Sequence, residues 1–143
     1  MTETYVPSDP ELRSILGEAR TVAVVGLSSN PSRPSYEIAE YLQSKGYRIV
    51  PVNPNETEVL GERAYPTLAD IPENIEVDVV DVFRRAEQTP DVAQQAVARG
   101  AKVLWLQEGI SNEEARQIGE AAGLSVVMGV CMRQESKRLE GET

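Results

Sequence analysis

Five short apolar runs, each followed by a turn or a helical segment, set the strongest limit on the fold. The first, Thr21–Val25, is apolar and rich in β-branched residues, and Gly26 ends it. A run of this length that is apolar on both faces is typical of a strand buried in a parallel sheet. The other predicted strands are Tyr47–Val52, Val77–Phe83, Lys102–Leu106 and Leu124–Met128.

Segments with helical spacing of apolar residues alternate with these strands. A small excursion around Gly61 is expected at Glu56–Ala64, and Thr67–Ile71 is expected to form one helical turn. The predicted helices are Asp9–Ala19, Tyr36–Leu42, Ala86–Arg99, a segment from a Ser111–Glu114 capping box to Ala122, and Arg133–Leu139.

This alternation predicts an α/β protein with helices on both faces of one sheet. We expect a three-layer α/β/α Rossmann-like fold whose five-stranded sheet is mainly parallel. One domain should span all 143 residues, because no linker or repeat interrupts the pattern. Residues 1–8 and 139–143 are expected to be flexible.

Charge and residue usage narrow the classes of function. The chain has 23 acidic and 14 basic residues, a net charge of −9, so non-specific binding to nucleic acid or an anionic membrane is not expected. Histidine is absent, which removes the commonest general base and metal ligand. Cys131 is the single cysteine, so no internal disulfide forms. With no signal peptide or membrane span predicted, these features are compatible with a cytoplasmic protein.

The loop after the first strand, Gly26–Ser35, is the first place to search for a ligand site. In open α/β sheets ligands bind at the carboxyl ends of the strands, where the strand order reverses. The loop keeps only the first glycine of G-x-G-x-x-G, since Ser28 and Pro31 replace the others. Small polar residues before a helix, with the donor fork of Arg33, suit a phosphate, but the same residues suit a simple helix cap. Both interpretations remain open from these residues alone.

A nicotinamide dinucleotide is disfavoured by the end of the second strand. NAD sites usually place an acid there to bind the ribose, and this chain has Asn53. Other candidates are weaker. Arg84 follows the third strand and suits either phosphate or solvent. Glu108 could act as a general base, but no partner acid is available, so a turn residue is favoured. Cys131 has no histidine to activate it and is expected to be structural.

Longer motifs resemble a known family. They are Gly26-x-Ser28-x-x-Pro31-x-Arg33-x-Ser35, then Tyr41–Pro54, Gly61–Leu68 and Trp105–Ile110. Together they resemble the small stand-alone coenzyme A-binding proteins, which are similar to the N-terminal domain of the succinyl-CoA synthetase α subunit. The likeness covers roughly residues 15 to 138.

The resemblance implies a coenzyme A site. The Ser28–Asn30 turn, which includes Ser29, and Arg33 would meet the phosphates beside Gly26. Tyr65 would close over the pocket. Val52, Asn53 and Pro54 would flank the adenosine, Val82 and Arg84 would line the pantetheine path, and Gln107 and Glu108 would stand opposite it.

Two departures from the ligase limit what carries over. The ligase loop is richer in glycine, and the ligase has a phosphorylated histidine in a following domain that this chain lacks. We therefore expect a non-catalytic module that binds coenzyme A or an acyl-CoA as a carrier, sensor or partner subunit. The alternatives are an NADP-linked oxidoreductase, with Arg33 or Arg84 on the 2′-phosphate, and a ligand-sensing regulator that acts on a partner protein.

Overall fold

Five strands form one sheet in which every neighbouring pair is parallel. The computed structural model describes residues 3–141. The strands of the sheet are β1 (Thr21–Val25), β2 (Arg48–Val52), β5 (Val79–Val82), β6 (Val103–Leu106) and β7 (Ser125–Met128). Their order across the sheet is β2-β1-β5-β6-β7, so the chain reverses its direction of travel between β1 and β5.

Helices cover both faces of this sheet because its central strands are buried throughout. Val22 and Val24 of β1 pack on one apolar cluster, and Ala23 and Val25 pack on the other. The first cluster receives α1 (Asp9–Glu18), α2 (Pro34–Ser44) and α5 (Met132–Gly141), and the second receives α3 (Thr89–Arg99) and α4 (Glu113–Ala121). The predicted three-layer Rossmann-like fold is confirmed.

The capping box predicted at Ser111 is wrong. Asn112 caps α4, and its Oδ1 accepts a hydrogen bond of 2.9 Å from the backbone N–H of Ala115. The chain is still extended at Asn112, with φ −161° and ψ 118°, so the first helical residue is Glu113. The asparagine amide oxygen thus satisfies the N–H of Ala115, one residue later than the N–H of Glu114 that a Ser111 cap was expected to satisfy.

The excursion after β2 is a small hairpin that returns the chain to the end of β2. Strands β3 (Glu58–Val59) and β4 (Glu62–Arg63) pair antiparallel around Leu60 and Gly61. Tyr65 then lies beside Val52, its N–H bonded to the carbonyl of Pro51 at 3.0 Å. A short 3-10 helix, Leu68–Asp70, leads on towards β5.

Both ends of the described chain are joined to the domain. Tyr5 exchanges two backbone hydrogen bonds with Met128 of β7, at 2.9 and 2.8 Å, and residues 139–141 belong to α5. Residues 1, 2, 142 and 143 lie outside the described part, and the flexibility of the two termini stays a prediction. No helix within residues 3–141 is long and apolar enough to cross a membrane.

Gly26 lies where three strand ends meet. Its N–H donates to the carbonyl of Val52, and the carbonyl of Val25 accepts from the N–H of Phe83, both at 2.8 Å. Its φ is +89°, a conformation that other residues rarely adopt, and a Cβ there would lie 2.3 Å from the carbonyl oxygen of Phe83. Only glycine allows this close approach.

Gly26→Ala should therefore lower the free energy of unfolding by about 2 to 5 kcal/mol, through backbone strain and overpacking. Gly17→Ala is the matched control, because Gly17 lies in α1 with no atom near its missing Cβ. It should be neutral or stabilising by up to about 1 kcal/mol. Urea denaturation measures both, and equal effects of the two substitutions would contradict this role for Gly26.

Candidate functional site

The loop between β1 and α2 is an ordered turn held by its own side chains. The N–H of Ser28 donates to Ser35 Oγ at 3.1 Å, and that of Asn30 donates to Ser28 Oγ at 3.0 Å. The N–H of Ser32 donates to Asn30 Oδ1 at 3.0 Å. Arg33 occupies the cap position of α2, but its side chain makes no capping bond. Three backbone donors of the loop are thus satisfied by side-chain oxygens of the loop itself and of the first turn of α2.

A first cleft, the loop cleft, opens between this loop and the end of β5. Its volume is about 330 Å³. Among residues 3–141 no acid forms an ion pair with the exposed Arg33. The guanidinium is therefore available to an anion in the cleft. The lining residues are Gly26, Ser28, Arg33, Pro34, Ser35 and Phe83.

A second cleft, the strand-end cleft, adjoins the first and has a volume of about 290 Å³. Val25 and Arg84 line it. Val25 directly precedes Gly26 and Arg84 directly follows Phe83, and both Gly26 and Phe83 line the loop cleft. Val52, Pro54 and Pro66 supply apolar walls. Within the described chain Arg84 has no ion pair, and the lining acid Asp91 is bonded to Gln95 at 3.0 Å. The two clefts thus present one unpaired arginine each.

Asn53 and Tyr65 lie near the clefts and do not line them. Asn53 is buried, and its Nδ2 donates to the carbonyl of Leu27 at 3.0 Å, so it ties the end of β2 to the loop after β1. Its Oδ1 accepts from the N–H of Asn55 at 2.9 Å. Tyr65 is partly buried, and the guanidinium of Arg63 lies 5.6 Å from the centre of its ring.

The remaining predicted site residues differ in their exposure to solvent. Ser29 and Asn30 are exposed on the loop, and Val82 is fully buried in β5. Gln107 is 2% exposed, and Glu108 is exposed beside it, but neither lines a cleft. The structure thus brings together two groups of predicted residues, which are Gly26, Ser28 and Arg33 in one cleft and Val52, Pro54 and Arg84 in the other.

The sequence analysis missed Asp81, a fully buried acid in the central strand β5. Its Oδ1 accepts a 2.5 Å hydrogen bond from Nε2 of Gln107, while Asp81 Oδ2 and Gln107 Oε1 have no partner within residues 3–141. Burial raises the pKa of Asp81 to about 7, against the lowering effect of the Gln107 bond. The sequence did carry a signal for this residue, because Asp81 is an acid within the otherwise apolar run 79–82.

Comparison with known proteins gives the site a family context. The family model described as "CoA binding domain" matches residues 20–137. The uncharacterized protein YneT of Bacillus subtilis is 42% identical over 127 residues, which are 89% of this chain and 93% of that protein. The ADP-forming acetate–CoA ligase II of Archaeoglobus fulgidus is 31% identical over 107 residues, 73% of this chain and only 16% of the ligase.

The similar solved structures, like the similar sequences, include both small proteins and much larger synthetases. A hypothetical protein from Pyrococcus horikoshii superposes with a TM-score of 0.91 at 39% identity, covering 99% of this chain and 100% of that one. An acetyl-coenzyme A synthetase of Candidatus Korarchaeum cryptofilum superposes with a TM-score of 0.67 at 26% identity, over 80% of this chain and 27% of the synthetase. The chain thus matches whole small proteins and one part of much larger ones.

Asp81→Asn should change how stability depends on pH. An aspartate with an ordinary pKa of 3.8 in the unfolded chain and about 7 in the folded protein binds its proton more tightly when folded. The free energy of unfolding therefore falls as pH rises from about 4 to 7, then stays low. Asparagine cannot ionise and keeps a donor for Gln107. The variant should match the wild type at pH 4 and exceed it by about 2 to 4 kcal/mol at pH 8.

Asp78→Asn is the control with the opposite sign. Burial raises the pKa of Asp78, but the backbone N–H groups of Thr21 and Arg20 and the ammonium of Lys102 together hold it below its usual value. This substitution should lower stability at neutral pH, with the loss disappearing in acid. Denaturant titrations from pH 4 to 8 measure both variants. A pH-independent difference between wild type and Asp81→Asn would contradict the raised pKa.

Proposed function

The chain belongs to the CoA-binding domain family, as its motifs predicted, and we propose that it binds coenzyme A or an acyl-CoA as a non-catalytic module. One observation carries the proposal, namely the two unpaired arginines, Arg33 and Arg84, in adjoining clefts at the carboxyl edge of the sheet. Coenzyme A carries about four negative charges, and a guanidinium fork suits phosphate oxygens. Because the whole chain has a net charge of −9, an anionic ligand needs positive charge close to its phosphates, and the two guanidinium groups supply it there.

The phosphates belong at the loop cleft. Arg33 lies beside the N-terminus of α2, where the helix dipole and the loop N–H groups favour an anion. The side-chain oxygens of Ser35 and Ser28, which accept from the N–H groups of Ser28 and Asn30, hold the loop in an ordered turn beside this helix N-terminus. Phosphate oxygens would bond to Ser29 and to the exposed guanidinium of Arg33.

The rest of the ligand would follow the strand-end cleft. Val52 and Pro54 offer an apolar wall for the adenosine, and Arg84 would meet a further phosphate or the start of the pantetheine. Asn53 supports this wall by tying its loop to Leu27. Closure by Tyr65 and a role for Val82 in lining the pantetheine path are further parts of this proposal.

Gln107 and Glu108 belong to the proposal in different ways. Gln107 is bonded to the buried Asp81 and would shape the edge of the site from beneath. Exposed Glu108 would face the ligand directly.

A binding role suits this chain better than ligase chemistry does. The chain has no histidine to carry a phosphoryl group, and it spans 16% of the acetate–CoA ligase that it matches. The carboxyl of Asp81 and the thiol of Cys131 are both buried. No observation favours the NADP-linked alternative. A protein partner and a cytoplasmic location stay predictions.

Arg33→Ala should weaken coenzyme A binding by roughly 1.5–3 kcal/mol, about 10- to 150-fold, because it removes a charge-assisted contact. Arg48→Ala removes the same charge from the start of β2, at the opposite edge of the sheet, and should change the affinity less than about twofold. Isothermal titration calorimetry measures both dissociation constants. Absence of binding by the wild type at millimolar coenzyme A would overturn the proposed function.

A further inference from the structure

One backbone donor of the loop is bound by an acid from another segment. The N–H of Ser29 donates to Oε2 of Glu56 at 2.8 Å. Glu56 lies in the turn after β2, where its own N–H donates to the carbonyl of Asn53 at 3.2 Å. We propose that Glu56 competes with the ligand for this donor, an inference that rests on the proposed function. The carboxylate of Glu56 binds the Ser29 N–H in the free protein and is displaced when a phosphate binds.

The other loop donors are satisfied differently. Ser28, Asn30 and Ser32 donate to neutral oxygens of side chains that lie within the loop or in the first turn of α2. Those contacts shape the loop and can persist beside a ligand. Ser29 instead donates to a charged oxygen of Glu56 in the turn after β2, and a charged oxygen is the type of acceptor that a phosphate would supply. Glu56 therefore occupies a donor that the ligand needs.

Glu56 is suited to leave. Its side chain is only partly buried, and none of the basic residues within 3–141 forms an ion pair with it. A partly exposed carboxylate regains water when it is released, which offsets part of the cost of its displacement. The bond from Asn53 to the carbonyl of Leu27 does not involve Glu56, so the two loops stay joined after it leaves.

This competition makes the loop selective for strong anions. A ligand must replace a charged hydrogen bond and approach an uncompensated negative charge before it reaches Ser29. A diphosphate with several charged oxygens and a second anchor at Arg33 can do so. A ligand with a single charge and a weaker acceptor gains little binding free energy when it replaces the carboxylate already bound there. Glu56 thus raises the threshold for binding and favours diphosphate-containing ligands.

Glu56→Gln tests the proposal with little change in shape, because the amide oxygen can still accept from Ser29. Titration calorimetry with coenzyme A and with inorganic pyrophosphate should show about three- to tenfold tighter binding of both. Glu58→Gln is the matched control, since it removes the same charge two residues away, from β3. That variant should bind within about twofold of the wild type. Thermal unfolding of each variant checks that the fold is intact.

The outcomes separate this proposal from the proposed function. Equal or weaker pyrophosphate binding by Glu56→Gln would show that the contact only supports the loop, and would overturn the competition. Equal tightening in Glu58→Gln would show a general charge effect, and would also overturn it. Pyrophosphate could bind more tightly to Glu56→Gln than to the wild type while neither the wild type nor either variant binds coenzyme A. In that case the proposed coenzyme A function is wrong, but the proposed competition by Glu56 is supported. If no protein binds pyrophosphate or coenzyme A, both fail.

Discussion

The close approach of three strand ends at Gly26 is the constraint on which the site depends. Backbone bonds join Gly26 to the end of β2 and Val25 to the residue after β5, without room for a side chain between them. Because the strand order reverses here, the loops after β1 and β5 turn away from each other and leave space at the edge of the sheet. The loop cleft and the strand-end cleft are the two parts of that space.

Two buried acids of the β5 segment are matched to their surroundings in opposite ways: Asp78 precedes the strand at the amino edge of the sheet, and Asp81 lies within the strand. Asp78 receives backbone N–H groups and a lysine, so its charge is stabilised. Asp81 receives one amide donor in an apolar layer, so its neutral form is favoured. A proton on Asp81 would also give a donor to the pair of unpartnered oxygens on Asp81 and Gln107. The sheet can thus hold Asp81 near the proposed coenzyme A site without adding a full negative charge.

Local sequence patterns predicted the sheet and the loop because both are set by short-range rules. Apolar runs identified all five strands of the sheet, and the polar turn after Gly26 identified the residues of the loop cleft other than Phe83. Contacts between distant segments could not be predicted in this way. The bond from Asn53 to Leu27 and that from Ser29 to Glu56 each join residues more than 20 apart. The choice of Asn112 over Ser111 depended on where the chain leaves its extended conformation.

The most direct test of the coenzyme A site is the change in backbone amide NMR shifts of the wild-type protein on addition of coenzyme A. Binding by the phosphates should give the largest changes at Ser28–Ser32, with a second group at Phe83 and Arg84 on the adjoining cleft. The amino edge of the sheet, around Arg48, should change little. Changes concentrated at that opposite edge, or none at millimolar ligand, would contradict a coenzyme A site built on the Gly26 loop.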